Sequence, residues 1–244
     1  MQTYKPRPRE AAQEYIEAYI LKNNLQAHDK LPPERVMCEM WGLNRSTLRS
    51  AIARLVAEGR LYTREGSGIR LSRRVDRTLQ DLQGFAEYAR AHGMTPESRL
   101  LNFSIVEADR QLARRFKRQD GEMLYRIARL RLLDGIPVLL ETAYIPQALT
   151  LDLEERDLVH GSLFAALRND FRLKLDHGWE KASITSATPE EASYLGIAEG
   201  APAFWIVSET YGDDDTLIEY CRSLGRADVL ALTSTLYWKE GEKA

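Results

Sequence analysis

The sequence predicts an α+β fold in two parts: a small helical head that ends in a hairpin, and a larger body built on an antiparallel sheet. Three observations carry this. Residues 8–59 place apolar side chains at three- and four-residue spacing, punctuated by Gly42 and Gly59, which is the helical period. Farther along, long strand-like runs come in pairs around short turns, at Asp134-Gly135 and at Asp213-Asp214-Asp215. Charge is also divided: residues 1–75 carry 14 Lys/Arg against 8 Asp/Glu, and the remainder 20 against 28. A basic head on an acidic body is expected when only the head must approach phosphates.

At 244 residues the chain has room for two domains of ordinary size. No apolar run approaches the ~20 residues needed to cross a membrane. The opening stretch MQTYKPRPREAAQEYIEAYI lacks the uncharged apolar core of an export signal. Cys38 and Cys221 form no metal or redox spacing, and His28, His92, His160 and His177 are scattered. A cytoplasmic protein without metal or cofactor is the expectation.

The head is read in order. PREAAQEYIEAYILKN opens with Pro8 and aligns Ala12, Tyr15, Ile16, Tyr19 and Ile20, predicting a helix over 8–22. Pro32 and Pro33 precede a second helix in which Val36, Met37 and Met40 recur and which Gly42 ends. Asn44 caps a third, with Leu48, Ala51, Ile52, Leu55 and Val56 on one face and Gly59 as its stop. Leu48, Ile52 and Leu55 are assigned to the core. Two short strands, Arg60 to Thr63 and Ile69 to Ser72, then flank Arg64-Glu65-Gly66-Ser67-Gly68. Two helices joined by a tight turn and followed by a hairpin predict a winged helix-turn-helix.

Arg45, Ser46, Thr47 and Arg49 crowd the start of the third helix, where the backbone dipole repels cations. The conflict resolves if the partner is itself an anion. In a DNA major groove, arginines reach guanine O6 and N7, while the helix amides receive a backbone phosphate.

The run LPPERVMCEMWGLNRSTLRSAIARLVAEG, followed by REGSG, resembles the N-terminal DNA-binding domain of the GntR family of bacterial transcriptional regulators. The resemblance implies that Arg35 clamps DNA and that Arg45 and Arg49 reach base edges or adjacent phosphates. Ser46 and Thr47 would add shorter contacts, and Gly66 would bring its backbone into the minor groove. Glu65 departs from the basic or polar residue common at the wing, and phosphate should repel its carboxylate.

SRRVDRT, residues 72–78, reads as a polar connection, giving expected bounds of 1–72 for the head, 73–78 for the linker and 79–244 for the body. The body opens with a helix in LQDLQGFAEYARAHG, a strand in ESRLLNFSIVEAD and a short helix in RQLARRFKR. EMLYRIARLRLLDGIPVLLETAYIP is a strand pair closed by Pro146. Helical pieces near 154–158 and 162–168 follow, then a strand in KLDHGWEKASITSA and a helix in PEEASYLG. APAFWIVSETYG and TLIEYCRSLGRAD form another pair, and LALTSTLYW is a final strand. A short helix followed by a strand pair occurs at 109–146 and again at 189–226, an internal echo suited to a two-sided pocket.

Arg129 and Arg131 are two apart on a strand and share a face. Turned inward, they require an anion; turned outward, they make surface bridges. Glu141 and Glu219 lie on neighbouring strand patterns and could pair with them or accept hydroxyls from a ligand. Ser162 stands where a helix starts and reads as its N-cap. That helix end could also receive a phosphate or carboxylate.

RLRLLDGIP, LETAYIP, GSLF, IEY and RAD resemble the UTRA effector-binding domain of the HutC subfamily, whose fold is similar to chorismate lyase without its catalysis. The resemblance implies that Ser98, Arg129, Arg131, Glu141, Ser162 and Glu219 line an effector pocket. The serines and arginines would hold an anionic group, and the glutamates polar ones. Gly225 departs from the aromatic common before R-x-D, which reshapes the pocket wall. The expected protein is a transcriptional regulator, a repressor acting as a homodimer on palindromic double-stranded operator DNA, with a small anionic effector. Two alternatives are an enzyme using the C-terminal scaffold and an architectural DNA-binding protein without a ligand. No Ser-His-Asp triad, metal cluster or phosphate-cradling Gly-rich loop favours the enzyme.

Overall fold

The computed structural model describes residues 8–64, 68–72, 75–78, 82–158 and 161–235. Gly66 and Glu65 of the expected wing tip, Arg73 and Arg74 of the expected linker, and the end of the final predicted strand lie outside these residues. The chain divides into two compact units, Met1–Arg77 with Ala227–Ala231, and Thr78–Arg226 with Leu232–Ala244.

In the first unit, α1 (Pro8–Lys22), α2 (Glu34–Trp41) and α3 (Arg45–Ala57) precede a hairpin of β1 (Leu61–Arg64) and β2 (Gly68–Leu71). Ala12 and Ile16 of α1, Met37 of α2, and Leu48, Ala51 and Leu55 of α3 meet in one core, so the apolar face read from the sequence is the packed one. The Trp41 ring stacks on Tyr15 and presents an edge to Tyr19, which fixes the end of α2 against α1. Gly42 ends α2 in the left-handed conformation, with its N–H on the Cys38 carbonyl. Asn44 caps α3 by accepting from the Thr47 amide. The segment before α2 also joins the hairpin: Leu31 donates to the Ile69 carbonyl, and Leu71 to that of Asp29.

Part of the expected linker is a strand: β3 (Val75–Thr78) pairs with β10 (Leu230–Thr233), and the Val75 amide donates to the Val229 carbonyl at 2.8 Å. Of the predicted final strand, Leu230–Thr233 is β10, and it stands apart from the main sheet. Both strands are short and lie far apart in the chain, so local sequence carries no sign of the pairing. Within this unit Gly59 adopts φ +67°, and a Cβ there would collide with the Asp228 backbone.

The second unit is a six-stranded antiparallel sheet in the order β4-β5-β6-β9-β8-β7. Its strands are β4 (Pro96–Glu107), β5 (Met123–Leu133), β6 (Ile136–Pro146), β7 (Leu175–Ser186), β8 (Pro202–Gly212) and β9 (Leu217–Arg226). The echo in the sequence is the architecture: strand, helix and hairpin run as β4-α5-β5-β6 and again as β7-α7-β8-β9. The halves meet where β6 pairs with β9. α5 (Arg110–Phe116) and α7 (Pro189–Leu195) pack on the face that carries Leu124, Leu130, Leu132 and Leu224. α6 (Leu163–Asn169) covers the opposite face, against Tyr125, Ile127, Ala143 and Ile145. Among the described residues the first body helix, α4, spans Phe85–Ala91, and the helical piece expected near 154–158 is a 3₁₀ turn, Leu153–Glu155, preceded by another at Gln147–Leu149.

Candidate functional site

Two groups of residues carry the chemistry, one in each unit. In the head, the Asn44 cap starts α3 and leaves Arg45 and Arg49 exposed on it, with Ser46 also exposed and Thr47 half-buried. The Ser46 hydroxyl donates to Asn44 Oδ1 at 2.8 Å, so this serine completes the cap. Arg35 pairs with Glu39 one turn on, at 2.8 Å. Arg49 reaches across the helix-turn-helix: its Nε donates to Glu34 Oε2 at 2.7 Å, which raises its pKa. Arg45 makes no ion pair among the described residues.

The body site is on the sheet face that α6 covers. The period of two continues the row Tyr125 and Ile127 into Arg129 and Arg131, so both arginines turn inward. They are 1% and 4% exposed, which rules out the surface-bridge alternative. Arg129 faces Glu141 across β5 and β6, and Arg131 faces Ser98 across β4 and β5. Arg131 Nη1 donates to Ser98 Oγ at 2.6 Å. Arg129 and Arg131 both form ion pairs with Glu141 Oε1, Arg131 at 2.9 Å, off good hydrogen-bond angles. Arg129 Nε and Nη1 and Arg131 Nε are buried without a protein acceptor.

Two carboxylates in this site titrate apart. Burial pushes Glu141 upward, but the charges of Arg129 and Arg131 outweigh it and hold the group down to about 2. Glu219, on β9 of the same face, is pushed up to about 7 by burial and by the Glu141 charge. The site thus holds two guanidiniums against one fixed carboxylate and one that titrates near neutrality. Burial lowers the Arg129 pKa, yet a guanidinium stays charged.

Ser162 lies at the start of α6, where its oxygen accepts from the Ala165 amide, as its position predicts. A Cβ built on Gly84 would lie 3.3 Å from Ser162 Oγ, and the neighbouring Phe85 ring lies 5.3 Å from the Arg131 guanidinium carbon. The starts of α4 and α6 therefore approach each other beside the arginines.

Sequence reasoning missed Thr210, Ser223 and Phe85. Thr210 is buried and donates to Glu219 Oε2 at 3.3 Å, while Ser223 stands opposite Glu141. Both follow from strand register, which requires the sheet order. Phe85 reads as an ordinary apolar residue at a helix start. Gly225 stands opposite Phe204 of β8, which puts an aromatic on the adjacent strand where Gly225 has no side chain.

A basic winged head joined to a sheet domain with a buried charged cluster defines a DNA-binding protein with a separate ligand-sensing body. The comparisons place it among known ones. Residues 91–231 match the UTRA domain, and residues 8–71 match the bacterial regulatory proteins of the gntR family. The HTH-type transcriptional repressor NagR of Bacillus subtilis is 32% identical over 88% of each chain. The HTH-type transcriptional repressor PhnF of Mycolicibacterium smegmatis is 29% identical, covering 89% of this chain and 88% of its own. The crystal structure of PhnF from Mycobacterium smegmatis aligns with a TM-score of 0.67 and 25% identity, over 93% of this chain and all of that one. The chain belongs to the GntR family of bacterial regulators, in its HutC subfamily with a UTRA effector-binding domain. It is a transcriptional regulator, and the relatives named above are regulators rather than enzymes. Among the described residues no helix is long and apolar enough to cross a membrane.

Proposed function

We propose that this chain is a repressor that binds palindromic operator DNA as a homodimer in the cytoplasm and is released by a small anionic metabolite, phosphorylated or carboxylated. One observation carries the anion: three buried guanidinium nitrogens, Arg129 Nε and Nη1 and Arg131 Nε, have no protein acceptor. Such donors are costly unless an acceptor meets them, and a planar guanidinium matches the oxygens of a phosphate or carboxylate. In this reading Arg129, Arg131, Ser98 and Ser162 receive the anion. Glu141 orients the guanidiniums. Glu219, steadied by Thr210, accepts hydroxyls from the rest of the ligand.

In the head, Arg45 and Arg49 reach base edges, Arg35, Ser46 and Thr47 contact the backbone, and Gly66 enters the minor groove. A homodimer follows from economy of contact, since one winged module reads few base pairs and two read a palindrome. The relatives named as repressors support the direction of control. An effector can release DNA only if it binds the DNA-incompatible arrangement more tightly.

The deciding experiment titrates the full-length protein with sugar phosphates, hydroxy acids and their neutral analogues. It scores thermal stabilisation and the loss of binding to a duplex selected from a random pool. An anionic compound should do both while its neutral analogue does neither. Release by neutral compounds alone would discard the anion assignment, and release of a monomer would discard the dimer.

A further inference from the structure

Glu34 opens α2 and is an unexpected neighbour for a DNA-reading surface, because its carboxylate should repel phosphate. It meets Arg49 of α3 at 2.7 Å, fifteen residues away in sequence. The arginine side chain is 69% exposed and that of the glutamate 33%. An exposed pair of this kind contributes little to stability, so fold maintenance is a poor account of it. The position does suit an acid, which the positive end of the α2 dipole stabilises.

The geometry of the contact is more informative. Glu34 accepts the hydrogen bond from Arg49 Nε–H and leaves the two terminal nitrogens as a fork. That fork matches guanine O6 and N7 end-on. Held by a carboxylate, Arg49 also gains less from a bare phosphate, because Glu34 opposes the same charge that Arg49 attracts. Arg35 differs: its partner, Glu39, is on its own helix.

We propose that Glu34 is a positioning residue that makes Arg49 a reader of bases rather than a clamp for phosphates. It sets the ratio of specific to non-specific DNA affinity. The inference rests on Arg49 reaching bases, and the experiment tests that separately.

A duplex selected from a random pool by the full-length parent serves as probe, with single-base-pair variants of it and a scrambled duplex of equal length. Arg49→Ala should abolish discrimination at one G·C position, a loss of roughly 5–100-fold for a bidentate contact. Glu34→Gln should bind the scrambled duplex more tightly, by roughly 3–10-fold, and lose most discrimination at that same position. Glu34→Asp keeps the charge but shortens the reach. It should leave scrambled-duplex affinity near the parent's and still lose discrimination. In the Arg49→Ala background, Glu34→Gln should change discrimination no further.

Glu34→Gln with the parent's base preference overturns the proposal. So does an equal loss of affinity for every duplex with a lowered melting temperature, which marks a structural role. If Arg49→Ala leaves discrimination intact, Arg49 is not a base reader, and the assignment of Glu34 ends there, with the rest of the repressor reading untouched.

Discussion

Arg129 and Glu141 stand directly opposite each other on β5 and β6, and they form an ion pair with 1% and 8% of their surfaces exposed. Arg131 shares the same carboxylate oxygen from two residues along the strand. A pair this buried carries a large desolvation cost, and removing one partner leaves the other charge uncompensated. Glu141→Gln should therefore destabilise the protein by about 3–5 kcal/mol, because both buried guanidiniums lose their carboxylate. Adding Arg129→Ala should restore part of the loss, because one of the two stranded guanidiniums is then gone. Chemical denaturation of the single and double variants measures both. A single variant as stable as the parent would mean that the guanidiniums are hydrated in solution.

Glu219 gives a pH dependence whose sign is set by its raised pKa. Its unfolded value is about 4.3, and the folded group is pushed up to about 7. The folded state therefore binds more protons between these values, and stability contributed by this group is present below about pH 4 and lost by about pH 7. Glu219→Gln should remove that decline. At pH 8 the variant should exceed the parent by an amount on the order of 3 kcal/mol, less whatever its Thr210 contact loses. Glu141 works in the opposite sense: held down to about 2, it supports the fold above about pH 4 and fails as acid approaches pH 2. Equal slopes for parent and Glu219→Gln between pH 5 and 8 would count against a buried Glu219.

That Arg129 and Arg131 share a face was legible because strand period is two, but that this face turns inward depends on which side of the sheet α6 covers. The α3 face was legible for the parallel reason at period 3.6, with Asn44 and Gly59 marking its limits. What stayed hidden depends on distant segments. Thr210 meets Glu219 only because β8 and β9 pair in one particular register. Glu34 meets Arg49 only because α2 and α3 cross. β3 finds β10 from the far end of the chain, and nothing in VDRT announces a strand.

Arg45 is the arginine of α3 that no ion pair restrains among the described residues. Arg45→Ala should weaken binding to the selected duplex by ~1–3 kcal/mol without changing the unfolding midpoint. If it contacts a base, the loss should shrink on a variant of that base pair. If it contacts phosphate, the loss should be equal across sequences and the salt dependence should fall by about one charge. Unchanged affinity for every duplex would take Arg45 out of the interface.

Gly59 offers a test of the strand pair formed by part of the expected linker. Its φ of +67° is costly for most side chains, and a Cβ there would also meet the Asp228 backbone within the same unit. Two effects are therefore superimposed, and two substitutions separate them. Asparagine tolerates the left-handed conformation but still carries a Cβ; alanine suffers both penalties. Gly59→Asn should displace Ala227–Ala231, and amide exchange at Val75, whose N–H bonds the Val229 carbonyl, should accelerate. Gly59→Ala should do the same and lose about a further 1 kcal/mol from backbone strain. β9, which carries Glu219 and Ser223, runs directly into that displaced segment, while β3 leads back to the head. Both variants should still bind the selected duplex, yet respond less to an effector that releases the parent. Parent-like exchange at Val75 in Gly59→Asn would show that the segment yields without cost. A normal effector response despite rapid exchange would place the coupling elsewhere.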